Sequence, residues 1–200
     1  MVARHASPLE ALLVDERFDG EINPFEPMSR HTTYRIGGPA RYFARVHSVG
    51  ALARVLDACK AVGEKWYIVG RGSNLLVADE GVDAAVIVLG RDFRSMRYDE
   101  EKSRLMLGAG VPLSAAVQEA FRRSLAGLEF AVGTPGSVGG ALRMNAGSRD
   151  EWLGARVESV TSFSAEGGLV RRLGSEIEWG YRCSSFPADE ILVECELNME

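Results

Sequence analysis

The fifteen residues from Gly133 to Gly147 include five glycines and one proline, in a chain of otherwise ordinary composition. A glycine inside a folded segment costs about 0.5–1 kcal/mol relative to alanine, so glycines gather where side chains would obstruct a ligand or where φ must be positive. The stretch from Gly136 to Asn145 can also form a short helix, whose free N-terminal amides would favour an anion. This segment therefore predicts contact with a large, phosphate-bearing ligand.

A second glycine-rich loop, Gly70 to Asn74, lies between an apolar run predicted to be a strand and the apolar residues Leu75 to Val77, also predicted to be extended. The loop lacks the lysine and the following helix of a Walker motif, and it does not open a helix as a dinucleotide fingerprint does. Its successive amides, with the polar side chains of Ser73 and Asn74, can hold pyrophosphate oxygens without a metal. Either loop alone is more often a plain turn. Together they predict a diphosphate on which both loops converge.

Composition narrows the class of protein. The chain has 200 residues, a net charge of −5 and no long basic cluster, which argues against a nucleic-acid partner. No apolar run approaches the about 20 residues that cross a membrane, and the first residues lack the apolar stretch of a signal peptide, so we expect a cytoplasmic protein. The three cysteines and three histidines show no metal-ligand spacing. Cys59 and Cys195 are expected to be packing residues, and no metal site is predicted.

The elements expected in the first part of the chain follow from caps, periodicity and turn residues. They are a helix over 8–18, a turn-rich segment over 19–27, a hairpin of 34–36 with 41–46, a helix from Ser48 to Gly63, and strands over 66–69 and 84–89. The second part is expected to contain hairpins over 93–107 and 157–173, a helix that starts at Pro112 with its apolar stripe in the core, and a strand over 191–199. We place the domain boundaries at 1–27, an N-terminal extension, 28–91 and 92–200.

Five motifs in this order resemble those of the UDP-N-acetylenolpyruvoylglucosamine reductases. They are His31 to Gly38, Val69 to Val77, Gly127 to Phe130, Gly133 to Gly147, and Tyr181 to Phe186. The resemblance runs from about residue 28 to residue 200. It implies an α+β chain with the two-subdomain FAD-binding fold of the vanillyl-alcohol oxidase and p-cresol methylhydroxylase type.

The resemblance also implies an activity and a set of partners. Enzymes of this family use FAD and NADPH to reduce the enolpyruvyl ether of UDP-N-acetylglucosamine to UDP-N-acetylmuramate, in peptidoglycan precursor synthesis in the bacterial cytoplasm. A monomer is expected. The residues expected to contact FAD are Val69, Gly70, Arg71, Gly72, Ser73, Asn74, Leu75, Gly133, Thr134, Pro135, Gly136, Ser137, Gly139, Gly140, Ala141, Asn145, Ala146 and Gly147.

Arg182 occupies the position of the family's catalytic arginine, and Tyr181 beside it is expected to help hold the substrate. A guanidinium can stabilise the charge that develops beside the substrate carboxylate through charge-assisted hydrogen bonds worth about 1.5–3 kcal/mol each. A surface salt bridge is the commoner use of an arginine. The segment after Gly147 departs from the family, because Ser148 and Arg149 replace an alanine and an aromatic residue.

The family's proton-donating serine and assisting glutamate belong to a third, substrate-binding domain beyond the arginine motif. The last predicted strand reaches the final residue, so we expect this chain to be part of a longer one. These 200 residues are then expected to bind FAD and to reduce substrate poorly. Two alternatives stay open: an FAD-linked oxidase of the same fold, and a non-catalytic FAD-binding module.

Overall fold

A computed structural model describes residues 7–148 and 150–200. The chain divides into two compact units, with the boundary between Arg91 and Asp92. Arg149 and the first six residues lie outside the described residues, so the proposed departure from the family at Arg149 has no structural account.

The first unit is built on a four-stranded sheet in the order β1-β2-β4-β3. Its helices and strands are α1 (Pro8–Leu13), β1 (Gly20–Pro27), β2 (Pro39–Val46), α2 (Val49–Val62), β3 (Trp66–Ile68) and β4 (Val82–Leu89). β1 pairs with β2 antiparallel, whereas β4 lies parallel to both β2 and β3. The fully buried run Ala84–Leu89 of β4 is typical of a central parallel strand.

Helix α2 has the ends that the sequence predicts. The Ser48 side chain accepts a hydrogen bond from the amide of Ala51, and Gly63 closes the helix in the left-handed conformation at φ 67°. Buried side chains such as Leu52, Val55 and Cys59 lie on the apolar face of α2, which confirms Cys59 as a packing residue. Burial raises the pKa of the Cys59 thiol to about 11.

Several expectations for the first unit were wrong. The helix expected over 8–18 ends at Leu13, before a turn at Glu16 and Arg17. The segment over 19–27, expected to be turn-rich, contains β1, because an edge strand tolerates Pro24 and Pro27, whose missing N–H groups a central strand would need. The extension therefore pairs with the first unit's sheet. Residues 34–36 form no hairpin with β2, whose antiparallel partner is β1. Arg35 instead turns the chain with a left-handed φ of 55°.

The second unit contains a five-stranded antiparallel sheet in the order β5-β6-β11-β7-β8. The helices and strands of this unit are β5 (Met96–Asp99), β6 (Arg104–Gly108), α3 (Leu113–Arg122), α4 (Val138–Arg143), β7 (Val157–Ser164), β8 (Gly168–Leu173), β9 (Trp179–Gly180), β10 (Cys183–Ser184) and β11 (Ile191–Asn198). β9 and β10 pair with each other in a separate two-stranded sheet. Both predicted hairpins are present, and the last predicted strand is β11 at the centre of the sheet. Cys195 is buried in that strand, as expected.

The apolar stripe of α3 is only partly core. Leu113, Ala116 and Ala120 are buried, but the side chain of Phe121 at the end of the helix is 85% exposed. Helical periodicity predicts which residues share a face, whereas tertiary packing decides how far along the helix that face is covered.

Candidate functional site

The first glycine loop presents a run of unused backbone donors. The backbone amides from Gly70 to Val77 donate no hydrogen bond to any described residue. The amide of Val69, immediately before the loop, donates to the carbonyl of Ile87 at 2.8 Å and continues the strand pairing. Residues Leu75 to Val77 form no strand, contrary to the sequence expectation. The loop can therefore offer several N–H groups to an anion.

The loop is supported by the His31 to Ile36 motif. Gly72 has a φ of 62°, and a Cβ at this position would overlap the carbonyl oxygen of His31. The amide of Thr33 donates to the carbonyl of Gly72 at 3.1 Å, so the two segments are joined through their backbones. The imidazole of His31 stacks on Phe43 at 3.9 Å between ring centroids, which anchors the supporting segment to the core.

The side chains around this loop divide by role. Val69 and Leu75 pack against the core cluster that includes Phe43. The side chains of Arg71, Ser73 and Asn74 have no hydrogen-bond or ion-pair partner within the part of the chain that the structure describes. The apolar residues therefore fix the ends of the loop, and the polar ones are available to a ligand.

In the second unit, the glycine segment forms α4, but the amides at the start of this helix are already used. Val138 donates to the carbonyl of Val111 at 2.9 Å, Gly139 donates to that of Ala109 at 2.8 Å, and Gly140 donates to the Ser137 hydroxyl at 3.3 Å. The expectation that the helix N-terminus supplies free amides to an anion was therefore wrong. Within the described chain, the free amides of this segment lie outside the helix, at Gly133, Gly136 and Ser137 before it and at Gly147 after it.

The glycines of this segment serve different purposes. A Cβ on Gly139 would lie 3.0 Å from that of Ala109, so Gly139 permits α4 to pack against the chain after β6. A Cβ on Gly140 would meet only the Ser137 hydroxyl, at 3.5 Å, and one on Gly133 would meet no atom within 4 Å. Gly133 does require its positive φ of 77°. The backbone at Gly133 and Gly140 is thus open to a large ligand.

Asn145 connects this segment to the Tyr181–Arg182 turn. Its buried side chain donates to the carbonyl of Gly180 at 2.9 Å and accepts from the amide of Gly154 at 3.0 Å. Both ends of the amide are therefore engaged within the protein. These two bonds fix the orientation of the Asn145 amide, which keeps one N–H and one oxygen lone pair for a ligand.

Tyr181 and Arg182 form the tip of a tight hairpin between β9 and β10, in which Gly180 pairs with Cys183. Arg182 adopts a left-handed φ of 56°, as the third residue of such a turn can require. Its guanidinium lies 5.7 Å from the Tyr181 ring centroid, and no described carboxylate pairs with it. Tyr181 is 91% exposed. A surface salt bridge, the commoner role for an arginine, is therefore not what holds Arg182 in the described structure.

Arg143 anchors the chain that follows this hairpin. Its guanidinium donates to the carbonyls of Phe186 and Pro187 at 2.8 and 2.9 Å, and the Ser184 hydroxyl donates to the carbonyl of Arg143 at 2.8 Å. Burial lowers the pKa of Arg143. This arginine is engaged in structure, which leaves Arg182, among the described residues, as the available cation beside the glycine segment.

A cavity of about 460 Å³ joins the end of the glycine segment to the hairpin. The described residues that line it include no aspartate or glutamate; they are Asn145, Gly147, Ser148, Trp152, Trp179, Gly180, Tyr181 and Arg182. Four of these, Asn145, Gly147, Tyr181 and Arg182, are predicted site residues. The sequence reasoning missed the two tryptophans. The polar residues between Gly147 and Trp152 are typical of a tight turn. Such a turn would return Trp152 to Gly147, so this pattern could have placed Trp152 at the site.

Over the described residues, no helix is long and apolar enough to span a bilayer, and no cluster of metal-ligating side chains is present.

Comparisons with known proteins agree with the motifs. Residues 40–172 match a family model described as an FAD binding domain. A curated relative, UDP-N-acetylenolpyruvoylglucosamine reductase of Heliobacterium modesticaldum, is 43% identical over 176 residues, which cover 88% of this chain and 55% of the relative. The chain thus spans about half the length of the curated relatives that it matches. These matches confirm the resemblance.

Solved structures support the same fold. The crystal structure of UDP-N-acetylenolpyruvylglucosamine reductase from Thermus caldophilus matches with a TM-score of 0.77 and 35% identity, over 90% of this chain and 63% of that one. The structure of 6-hydroxy-D-nicotine oxidase from Arthrobacter nicotinovorans matches with a TM-score of 0.68 and 19% identity, over 93% and 43% of the two chains. The second likeness concerns the fold alone. Together they confirm the predicted α+β fold of the FAD-binding oxidase type.

Proposed function

We propose, from the premise that this chain belongs to the FAD binding domain family, that it is the FAD-binding part of a reductase acting on the enolpyruvyl ether of UDP-N-acetylglucosamine. NADPH is the proposed electron donor, and UDP-N-acetylmuramate is the product. The reaction would serve peptidoglycan precursor synthesis in the bacterial cytoplasm. The observation that carries the proposal is the unpaired Arg182 in a cavity shared with Asn145 and Gly147 and lined by no described carboxylate.

The residues present fit FAD. The free amides of the Gly70 to Val77 loop can donate to diphosphate oxygens, with Ser73 and Asn74 as additional donors. The open backbone at Gly133 and Gly140 accommodates a bulky group without a side-chain clash. We assign the remaining residues of both segments to the cofactor site with them. When bound, FAD would supply hydride-transfer chemistry to the substrate, with NADPH as the source of electrons.

The chain's own contribution to the reaction is electrostatic. Addition of a hydride to the enol ether places negative charge on the carbon beside the carboxylate. Arg182, which has no competing carboxylate among the described residues, can pair with the substrate carboxylate and stabilise this charge. Tyr181 covers one side of the guanidinium and contributes to substrate binding. The resemblance assigns protonation of the substrate carbon to a serine beyond the arginine motif.

The first experiment measures flavin binding. The purified 200-residue chain is titrated with FAD, FMN and riboflavin, and flavin fluorescence is followed. Amides that grip a diphosphate should make FAD bind much more tightly than riboflavin, with FMN between them. Equal affinities for FAD and riboflavin would remove the diphosphate from the proposal.

The second experiment separates the candidate reactions. NADPH is added anaerobically to the FAD-loaded chain, and loss of visible flavin absorbance is recorded before air is admitted. Bleaching followed by slow reoxidation in air supports the reductase. Rapid reoxidation by oxygen favours the oxidase alternative, and absence of bleaching favours a non-catalytic module.

The third experiment concerns Arg182. The enolpyruvyl sugar nucleotide should perturb the spectrum of the bound flavin in the wild-type chain, and Arg182→Met should remove this perturbation. Arg94→Met provides the control, because Arg94 is an exposed arginine of the same unit that does not line the cavity. The same response in wild type and Arg182→Met would eliminate the proposed role.

Turnover by this chain is expected to be slow, and rapid steady-state turnover would contradict that expectation.

A further inference from the structure

Trp152 lines the cavity with a polar group that the protein does not use. The residue is 39% exposed, and its indole N–H has no acceptor within residues 7–148 and 150–200. Trp179, the other tryptophan of the cavity, differs. Its indole N–H donates to the carbonyl of Gly174 at 3.1 Å, and its ring packs edge-on against Phe186 at 5.8 Å. Trp179 is therefore committed to the fold, and Trp152 retains a free donor.

The backbone fixes Trp152 beside the glycine segment. Gly147 and Trp152 form an antiparallel bridge, closed on one side by the Ser148 amide, which donates to the carbonyl of Glu151 at 2.8 Å. On the other side, the amide of Leu153 donates to the carbonyl of Ala146 at 2.9 Å. A Cβ on Gly147 would overlap the backbone of Trp152. The close packing against Gly147 thus holds Trp152 at the edge of the cavity.

The donors and charges of the cavity select an anion. Arg182 brings an unpaired guanidinium, Trp152 brings a free N–H, and the described lining has no carboxylate. The Asn145 side chain is engaged at both ends. A planar carboxylate can accept from a guanidinium and from a second donor at the same time. The ring of Trp152 adds an apolar wall suited to the unsaturated carbons next to that carboxylate.

We propose that Trp152 is a substrate-binding residue that donates its indole N–H to the enolpyruvyl carboxylate that Arg182 pairs with. This inference rests on the proposed function, since it takes its ligand from it. It adds a residue that the five sequence motifs do not include. Because the cavity lies wholly within the second unit, carboxylate binding should be measurable with this chain.

The test uses the FAD-loaded chain and isothermal titration calorimetry with two probes. One probe is the enolpyruvyl ether of UDP-N-acetylglucosamine, and the other is UDP-N-acetylglucosamine, which lacks the carboxylate. Trp152→Phe keeps an aromatic ring and removes the N–H, so it should weaken binding of the enolpyruvyl ether by about 10- to 150-fold, as expected for one hydrogen bond to a charged group. Trp152→Phe should leave the affinity for UDP-N-acetylglucosamine unchanged. Trp152→His keeps a ring N–H and should bind nearly as wild type.

Two controls separate binding from folding. Trp66→Phe changes a tryptophan of the first unit and should alter neither affinity. Thermal unfolding of each variant identifies any that fail to fold. If Trp152→Phe does not fold, the comparison of Trp152→His with the larger truncation Trp152→Leu decides, since only the former should retain binding.

The outcomes distinguish this inference from the function on which it rests. Equal weakening of both probes by Trp152→Phe would show a structural role and overturn the inference. An effect of Arg182→Met without one of Trp152→Phe would overturn the inference alone. If neither Trp152→Phe nor Arg182→Met changes binding, the proposed role of Arg182 is overturned as well. Absence of any binding to the wild-type chain would overturn a carboxylate site within this unit, while flavin binding and reduction by NADPH would still test the reductase.

Discussion

The buried side-chain amide of Asn145 donates a hydrogen bond to the carbonyl oxygen of Gly180 at 2.9 Å. This contact ties the glycine-rich segment to the residue immediately before the Tyr181–Arg182 turn. The same amide accepts from Gly154 at 3.0 Å, so one side chain connects three segments. Asn145 itself has a φ of 41°, a left-handed conformation that asparagine tolerates better than most residues.

Replacing Asn145 should therefore affect both stability and the Arg182 turn. Asn145→Ala leaves the buried Gly154 amide unpaired and removes one of the hydrogen bonds to the Gly180 carbonyl, which pairs with Cys183 as well. The unpaired amide alone should cost about 1–3 kcal/mol in urea unfolding. Asn145→Asp in its ionised form can still accept from Gly154 but cannot donate to Gly180, so it should weaken binding of the enolpyruvyl ligand more selectively. Asn198→Ala, at an exposed position, is the control. An Asn145→Asp chain with wild-type stability and binding would contradict this role.

Gly72 and Gly63 form a matched pair for the first loop. Their φ values are 62° and 67°, so alanine at either position should pay a similar backbone cost of about 1–2 kcal/mol. Only Gly72→Ala also places a Cβ against the carbonyl of His31, whereas a Cβ on Gly63 meets no atom within 4 Å. Gly72→Ala should therefore be the more destabilising in urea unfolding and should weaken FAD binding. Equal losses for both variants would show that the His31 contact is unimportant.

Gly139 and Gly140 separate packing from ligand access in α4. Gly140→Ala fits without a clash and should stabilise the chain by about 0.5–1 kcal/mol. It should also weaken FAD binding, because the methyl group occupies the open face. Gly139→Ala crowds Ala109 and should lower stability. Denaturant unfolding and FAD titration of both variants test this difference. A Gly140→Ala chain that binds FAD as tightly as wild type would exclude this face from the cofactor site.

The buried carboxylate of Glu190 predicts a pH dependence of stability. Burial raises the pKa of Glu190, but hydrogen bonds from Arg172 and Ser162 outweigh it, so the net pKa lies below its ordinary value. Arg172 binds both carboxylate oxygens, at 2.6 and 2.7 Å. A carboxyl with a lowered folded-state pKa adds stability above its unfolded pKa of about 4.3, and this stability is lost as the pH falls through the folded pKa.

Urea unfolding of the chain between neutral and acidic pH measures this effect. Glu190→Gln should flatten the loss of stability on the acid side of the unfolded pKa, and Arg172→Met should destabilise the chain at neutral pH by leaving a buried carboxylate unpaired. Glu194→Gln, an exposed neighbour on β11, should leave the profile unchanged. A Glu190→Gln profile identical to that of wild type would assign the acid sensitivity to other groups.

Local physical rules account for the elements that the sequence predicted well. Ser48 and Gly63 bound α2 because a side-chain cap and a left-handed glycine act within a few residues. The hairpin over 157–173 follows from alternation and a glycine turn. The motifs likewise indicated the FAD-binding family, since a family match depends on residue types in a fixed order.

Where the sequence expectations were wrong, distant partners were responsible. Residues 20–27 became a strand because β2 offered an edge for pairing, and the first amides of α4 donate to the carbonyls of Ala109 and Val111. Helical periodicity could not show that Phe121 would be left exposed.

The sequence by itself determined which residues can bind diphosphate or a carboxylate, because donor type, charge and glycine content are properties of the residues. Only the tertiary structure decided which donors remain free. It engaged Asn145 and Arg143 in hydrogen bonds, and it brought Trp152 back to Gly147 beside the unpaired Arg182. The reason is that each N–H or lone pair used within the fold is no longer available to a ligand, and its partner can lie many residues away.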